Sequence, residues 1–145
     1  METMLFALAE VPAVARQVLH TVGTGRVFAL SGDLGAGKTT LVAAMCRQLG
    51  VDEAATSPTF SIVNSYATPA GPVYHLDCYR LESIHEALDA GLEDVFNGES
   101  VAVFVEWPAV IEPLLPPDVV HLHLAHHPGG HARILTLSTG HLSHS

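Results

Sequence analysis

The stretch GDLGAGKTT, residues 32–40, decides the fold. Residues 32–39 satisfy G-x-x-x-x-G-K-[ST] in full, the pattern of a glycine loop that wraps phosphates. That pattern carries meaning only between a strand and a helix, and both are legible. Residues 27–30 are a short apolar run that follows Gly23 and Gly25. Residues 38–49 place Leu41, Val42, Met45 and Leu49 on one side at helical spacing, and Gly50 closes the segment. Gly32, Gly35 and Gly37 let the backbone turn tightly and leave room for phosphate oxygens. The peptide N–H groups of Asp33, Leu34, Gly35, Ala36 and Gly37, with the start of the helix, then face the anion. Lys38 reaches the terminal phosphates as a point charge. Thr39 offers a hydroxyl to Mg2+, and Thr40 assists on the α-phosphate.

Outward from that loop the pattern stays α/β. Upstream, residues 4–8 (MLFAL) read as a short strand. Pro12 then suits a first helical turn, with Val14, Val18 and Val22 following at one-turn spacing. Downstream, residues 51–59 read as a loop. Strands at 61–66 and 73–77 are joined by the turn-rich ATPAGP, as a hairpin or as two strands across an insertion. Residues 82–96 are helical in character, interrupted at Gly91. VAVFV, 101–105, is a continuous apolar run suited to a strand buried on both faces. A short helix fits 109–115, before Pro116 and Pro117. Residues 119–125 and 132–138 are candidates for a C-terminal antiparallel hairpin around HHPGGH. The expected architecture is α/β and P-loop NTPase-like: a mostly parallel central sheet flanked by helices, in one domain over 1–145.

A glycine loop alone does not hydrolyse a nucleotide. Mg2+ needs oxygen ligands and a water must be positioned. Carboxylates at the carboxyl ends of buried strands are the natural source, because ligands of open α/β sheets sit at that edge. Glu106 directly follows VAVFV, and Asp77 follows VYHL. The residues do not decide which of the two touches the metal and which orders water; a solvated strand-end carboxylate is the plainer alternative for Glu106, and a structural hydrogen bond for Asp77. His75 lies two residues before Asp77 and so shares its strand face. Either it joins the site's hydrogen-bond network or it packs. The loop TSPT, 56–59, with Ser57, Pro58 and Thr59, stands where nucleotide switches often sit, with an ordinary turn as the alternative.

Composition narrows the function classes. The chain has 145 residues, 48% hydrophobic and 14% charged, enough for a real core and too apolar for wholesale disorder. Net charge is −9, with 6 basic against 15 acidic residues, which argues against gripping nucleic acid unaided. The single lysine, Lys38, falls inside the phosphate motif. Cys46 and Cys78 lack CxxC spacing and read as two buried thiols. His121, His123, His126, His127 and His131 cluster toward the end of the chain. No cysteine or carboxylate joins them at metal-site spacing, so they read as surface histidines. The start carries Glu2 and Glu10 and no basic region, and no apolar run approaches a membrane span, so a cytoplasmic location is expected.

Four stretches in order, GDLGAGKTT at 32–40, SPTF at 57–60, HLDCYR at 75–80 and VEWP at 105–108, make the chain resemble the TsaE family. These are the small bacterial ATPases of tRNA threonylcarbamoyladenosine biosynthesis. EALDAGLEDVF at 86–96 follows the same style, and the likeness covers roughly residues 5–138. Generic phosphate-loop proteins share only the first stretch. The resemblance implies a parallel-sheet fold with unusual connections and an ATP- and Mg2+-dependent ATPase. It implies two partners, TsaB and TsaD, which handle the tRNA themselves. It implies that Lys38 holds phosphate, that Thr39 and Glu106 sit on the metal side, and that Asp77 supports hydrolysis. Thr59 then belongs to a switch-like loop and Trp107 to the nucleotide site, with a core or interface aromatic as the alternative. Tyr79 and Arg80 orient Asp77 or meet the partner.

Two other classes keep the same loop. A small-molecule kinase needs arginines to neutralise the transferring phosphate. Only five arginines exist, and Arg16, Arg26 and Arg133 lie outside the motifs. A nucleotide-gated, non-catalytic binding module differs only in turnover. The absence of [NT]KxD mildly favours ATP over GTP.

Overall fold

In the computed structural model, residues 2–32, 36–52 and 62–139 are described. Strand β1 (Glu2–Ala7) leads through a 3-10 turn into helix α1 (Val11–Val22). Pro12 sits in the first turn of α1, and Gly23, at φ 82°, ends it. The buried Val11, Val14, Ala15 and Val18 give α1 one apolar stripe. Strand β2 (Arg26–Gly32) and helix α2 (Lys38–Gln48) bracket the glycine loop, as its motif requires. A tight hairpin follows, β3 (Val63–Thr68) and β4 (Gly71–Asp77), with the turn at Pro69 and Ala70. Two short helices, α3 (Ile84–Asp89) and α4 (Leu92–Asn97), are separated at Gly91, whose φ of 79° breaks the pattern where the sequence does.

Strand β5 (Ala102–Glu106) is buried at every position. The helix expected at 109–115 is instead a 3-10 helix, Pro108–Leu114. Pro113 inside it removes a backbone donor and disfavours the α-helical ladder. Strands β6 (Val120–His126) and β7 (Ala132–Thr139) form the C-terminal hairpin.

All seven strands join one sheet in the order β1-β7-β6-β2-β5-β4-β3. Its centre, β6-β2-β5-β4, is parallel. Both edges are antiparallel: β3 beside β4, and β7 then β1 beyond β6. The sheet is therefore mixed, with the parallel centre the sequence implies, β3–β4 as the hairpin it allowed, the C-terminal hairpin β6–β7, and β1 as a further antiparallel edge strand. Phe28, Leu30, Phe104, Leu122 and Leu124 face α1 and α2, with Phe28 and Phe104 stacked at 5.1 Å. Ala29, Leu76, Val103 and Val105 face α3, α4 and the 3-10 helix. Each fully buried large apolar side chain contributes about 1.5–3 kcal/mol.

Cys46 belongs to the first of these cores and Cys78 to the second, both as free thiols. Burial pushes each up to about 12. Arg47 partly opposes the rise at Cys46, and Asp77 adds to it at Cys78. At neutral pH both are inert apolar fillers.

Candidate active site

The parallel strands β2, β4 and β5 end together, and the polar residues gather at that carboxyl edge. Gly32 closes β2 with φ 132°, and a Cβ there would stand 2.0 Å from the Leu124 carbonyl oxygen. Only glycine lets β6 run this close to the start of the loop. Asp33, Leu34 and Gly35 lie outside the described residues, as do Ser57, Pro58 and Thr59. Gly37 caps α2 in a left-handed conformation, φ 102°.

Lys38, the first residue of α2, is buried. Its Nζ donates to the Gly32 carbonyl at 2.9 Å and lies 4.0 Å from the centre of the Trp107 ring. A buried ammonium is costly without partners. Here a carbonyl dipole and an aromatic face meet it. Trp107 is placed to do this by an unusual backbone. Directly after β5 it adopts φ 57° and ψ 61°, the one positive φ on a non-glycine residue among the described residues. Its N–H donates to the Leu30 carbonyl at 3.2 Å. A left-handed non-glycine residue costs about 1–3 kcal/mol. Tyr79, largely exposed, leans on the indole at a centroid distance of 5.0 Å.

Thr39 and Glu106 form the second half of the site. The Thr39 hydroxyl lies 3.0 and 3.1 Å from the two Glu106 carboxylate oxygens. Glu106 is almost fully buried. From β4, the fully buried His75 brings Nε2 to 2.5 Å from Glu106 Oε2. An ionised carboxylate only accepts, so the imidazole donates. His75 Nδ1 takes no hydrogen bond among the described residues. Asp77 pairs in register with Glu106 across β4 and β5, and so faces the same side. It is half-buried, and its Oδ1 accepts the Tyr79 N–H at 3.0 Å.

The sequence-flagged residues Lys38, Thr39, Asp77, Glu106 and Trp107 thus converge on one edge. His75 joins Glu106's hydrogen-bond network, the first of the two roles its spacing allowed. Ala36, Gly37 and Thr40 lie at the start of α2. With Phe6, Val11 and Arg133 they line a recess of about 140 Å³ beside the start of α2. Phe6 and Arg133 reach it because they are register partners on β1 and β7. No local motif marks either residue.

Thr39, Glu106 and Asp77 offer only oxygen, a hard donor set that suits Mg2+. Among the described residues, no group of three or more His, Cys, Asp or Glu would hold a metal by itself. A cation bound mostly by phosphates and water needs no such cage. In the same set, His123 spends its Nδ1 on the Ser31 hydroxyl at 3.0 Å.

Residues 6–134 match the family described as threonylcarbamoyl adenosine biosynthesis protein TsaE. The tRNA threonylcarbamoyladenosine biosynthesis protein TsaE of Bacillus subtilis is 40% identical over 109 residues, which cover 75% of this chain and 67% of that protein. The Rickettsia bellii protein of the same name is 33% identical over 128 residues, 85% of each chain. A crystal structure of YdiB from Bacillus subtilis superposes with a TM-score of 0.74 at 29% identity, covering 96% of this chain and 86% of that one.

Proposed function

The chain belongs to the TsaE family of threonylcarbamoyl adenosine biosynthesis proteins, and from that membership we propose that it is a Mg2+-dependent ATPase working in the cytoplasm with TsaB and TsaD partners in tRNA threonylcarbamoyladenosine formation. One observation carries the reading. A buried ammonium, Lys38, opens the helix after the glycine loop, and the next residue, Thr39, is bonded to a buried carboxylate at the carboxyl edge of a parallel sheet.

Lys38 leaves the Gly32 carbonyl for the phosphate oxygens, exchanging a neutral acceptor for a charged one. Thr39 and Glu106 would hold Mg2+, which when bound neutralises charge on the terminal phosphates. Asp77, fixed by the Tyr79 N–H, accepts a hydrogen bond from the attacking water and orients it. Water oxygen bonds to the γ-phosphorus as the bond to the bridging oxygen breaks; ADP leaves with that bond's electron pair, and the water's protons go out on the released phosphate. Thr40 meets the α-phosphate, and the recess of Phe6, Val11 and Arg133 takes the nucleoside end. The acidic chain leaves tRNA to its partners.

Phosphate release from ATP, measured with and without TsaB–TsaD and tRNA, tests the proposal. Stimulation by the partners that Lys38→Ala and Glu106→Ala both abolish is the expected result. Release that survives both substitutions, or partners that neither bind nor stimulate, refutes it.

A further inference from the structure

We propose that His75 is a positioning residue that sets the site's affinity for Mg2+ by fixing the rotamer of Glu106. The proposal rests on the ATPase reading above. Glu106 projects from the end of β5 and contacts Thr39 through both oxygens. A Glu side chain has rotational freedom that each directed contact narrows. The imidazole from the next strand removes it, donating Nε2–H to Oε2 at 2.5 Å from a fully buried position. Three elements are thereby tied in one line: His75 on β4, Glu106 on β5 and Thr39 on α2.

Packing alone does not explain this residue. His75 stands beside Phe104 in the strand register, where an aliphatic side chain would fill the space. Instead the protein buries an imidazole whose Nδ1 takes no hydrogen bond among the described residues. Burying an unsatisfied polar atom is unfavourable, so the contact made by the other nitrogen is what the position requires. Hydrogen-bond partners of metal-side ligands act in this way elsewhere, and their loss typically costs about 10–100-fold in metal affinity.

The test separates metal affinity from nucleotide affinity. Binding of a fluorescent ATP analogue is measured first in EDTA and then against rising Mg2+, for wild type, His75→Leu, His75→Gln and His75→Asn. His75→Leu keeps volume and loses the donor. We expect metal-free nucleotide affinity within about twofold of wild type, and a half-saturating Mg2+ concentration raised at least about tenfold. Gln places an amide N–H near the Nε2 position and restores most of the loss, whereas the shorter Asn does not. If His75→Leu fails to fold, the Gln and Asn pair carries the comparison. Wild-type Mg2+ dependence in His75→Leu, or equal behaviour of Gln and Asn, overturns the proposal and leaves a packing role. Lys38→Ala distinguishes the two layers of argument. Unchanged nucleotide affinity in that variant would sink the ATPase reading itself, whatever His75 does.

Discussion

The two faces of the sheet bury different chemistry. Beneath α1 and α2 lie Lys38, His75 and Glu106, the buried polar or charged residues among the described residues. Beneath α3, α4 and the 3-10 helix the buried side chains are Ala29, Leu76, Val103, Val105, Ile111 and their apolar neighbours. Desolvating charge is costly unless partners are supplied. The first face supplies them in one connected patch, so it gives up some stability for a prepared site. The second face has no such cost and serves as the ballast of the fold. Substitutions on the two faces should therefore fail in different ways.

The largest effect belongs to the polar face. Lys38→Ala should lower ATP turnover by at least about 10²–10³-fold, the scale of losing one charge-stabilising donor, while the far-ultraviolet circular dichroism stays native. Isotopic or colorimetric phosphate release reads the first and spectroscopy the second. The mirror experiment is Ile111→Ala, at a fully buried position on the apolar face. Denaturant unfolding should show a loss of about 2–5 kcal/mol, with turnover per folded molecule near wild type. If Ile111→Ala lowered turnover as much as Lys38→Ala, the division between the faces would collapse.

A smaller effect sharpens the picture within the polar face. Trp107→Leu removes the ring beside Lys38 and should weaken nucleotide binding only several-fold, consistent with about 0.5–2 kcal/mol for a cation–π contact. Trp107 is the sole tryptophan. Its emission should therefore change when nucleotide draws Lys38 away, and Lys38→Ala should abolish that change.

The two thiols give the finest comparison, one on each face. Both are raised to about 12 by burial. In the unfolded chain they ionise near the ordinary value of 9.0. Between those values the unfolded state loses protons that the folded state keeps, so stability should fall as pH rises above about 9. Below that, the thiols leave stability flat. Cys46→Ala and Cys78→Ala should each reduce the alkaline slope in pH-dependent unfolding, because the contribution comes from burial rather than from the site.

Legibility in the sequence followed the range of the interactions. The phosphate motif, the apolar VAVFV and the break at Gly91 are local signals, and β2, α2, β5 and the α3–α4 division follow from them. Lys38, Thr39 and Glu106 are equally local, since each sits at a strand end or helix start that the motifs define. His75 was half legible: its spacing from Asp77 set its face, but only the β4–β5 register brings it to Glu106. The recess was not legible, because Phe6 and Arg133 meet through a pairing of the first and last strands. The 3-10 form of Pro108–Leu114 was missed for a different reason. Its apolar spacing suits a helix, and Pro113 decides which kind.

That pairing of β1 with β7 has a kinetic consequence. Glu2 hydrogen-bonds beside Leu137, so β1 has no sheet neighbour until almost the whole chain has folded. Closing so long a loop is entropically slow compared with forming β2, α2 and their neighbours. A refolding chain should therefore grip phosphate before it can distinguish one nucleoside from another, and a time-resolved refolding assay would see selectivity emerge last.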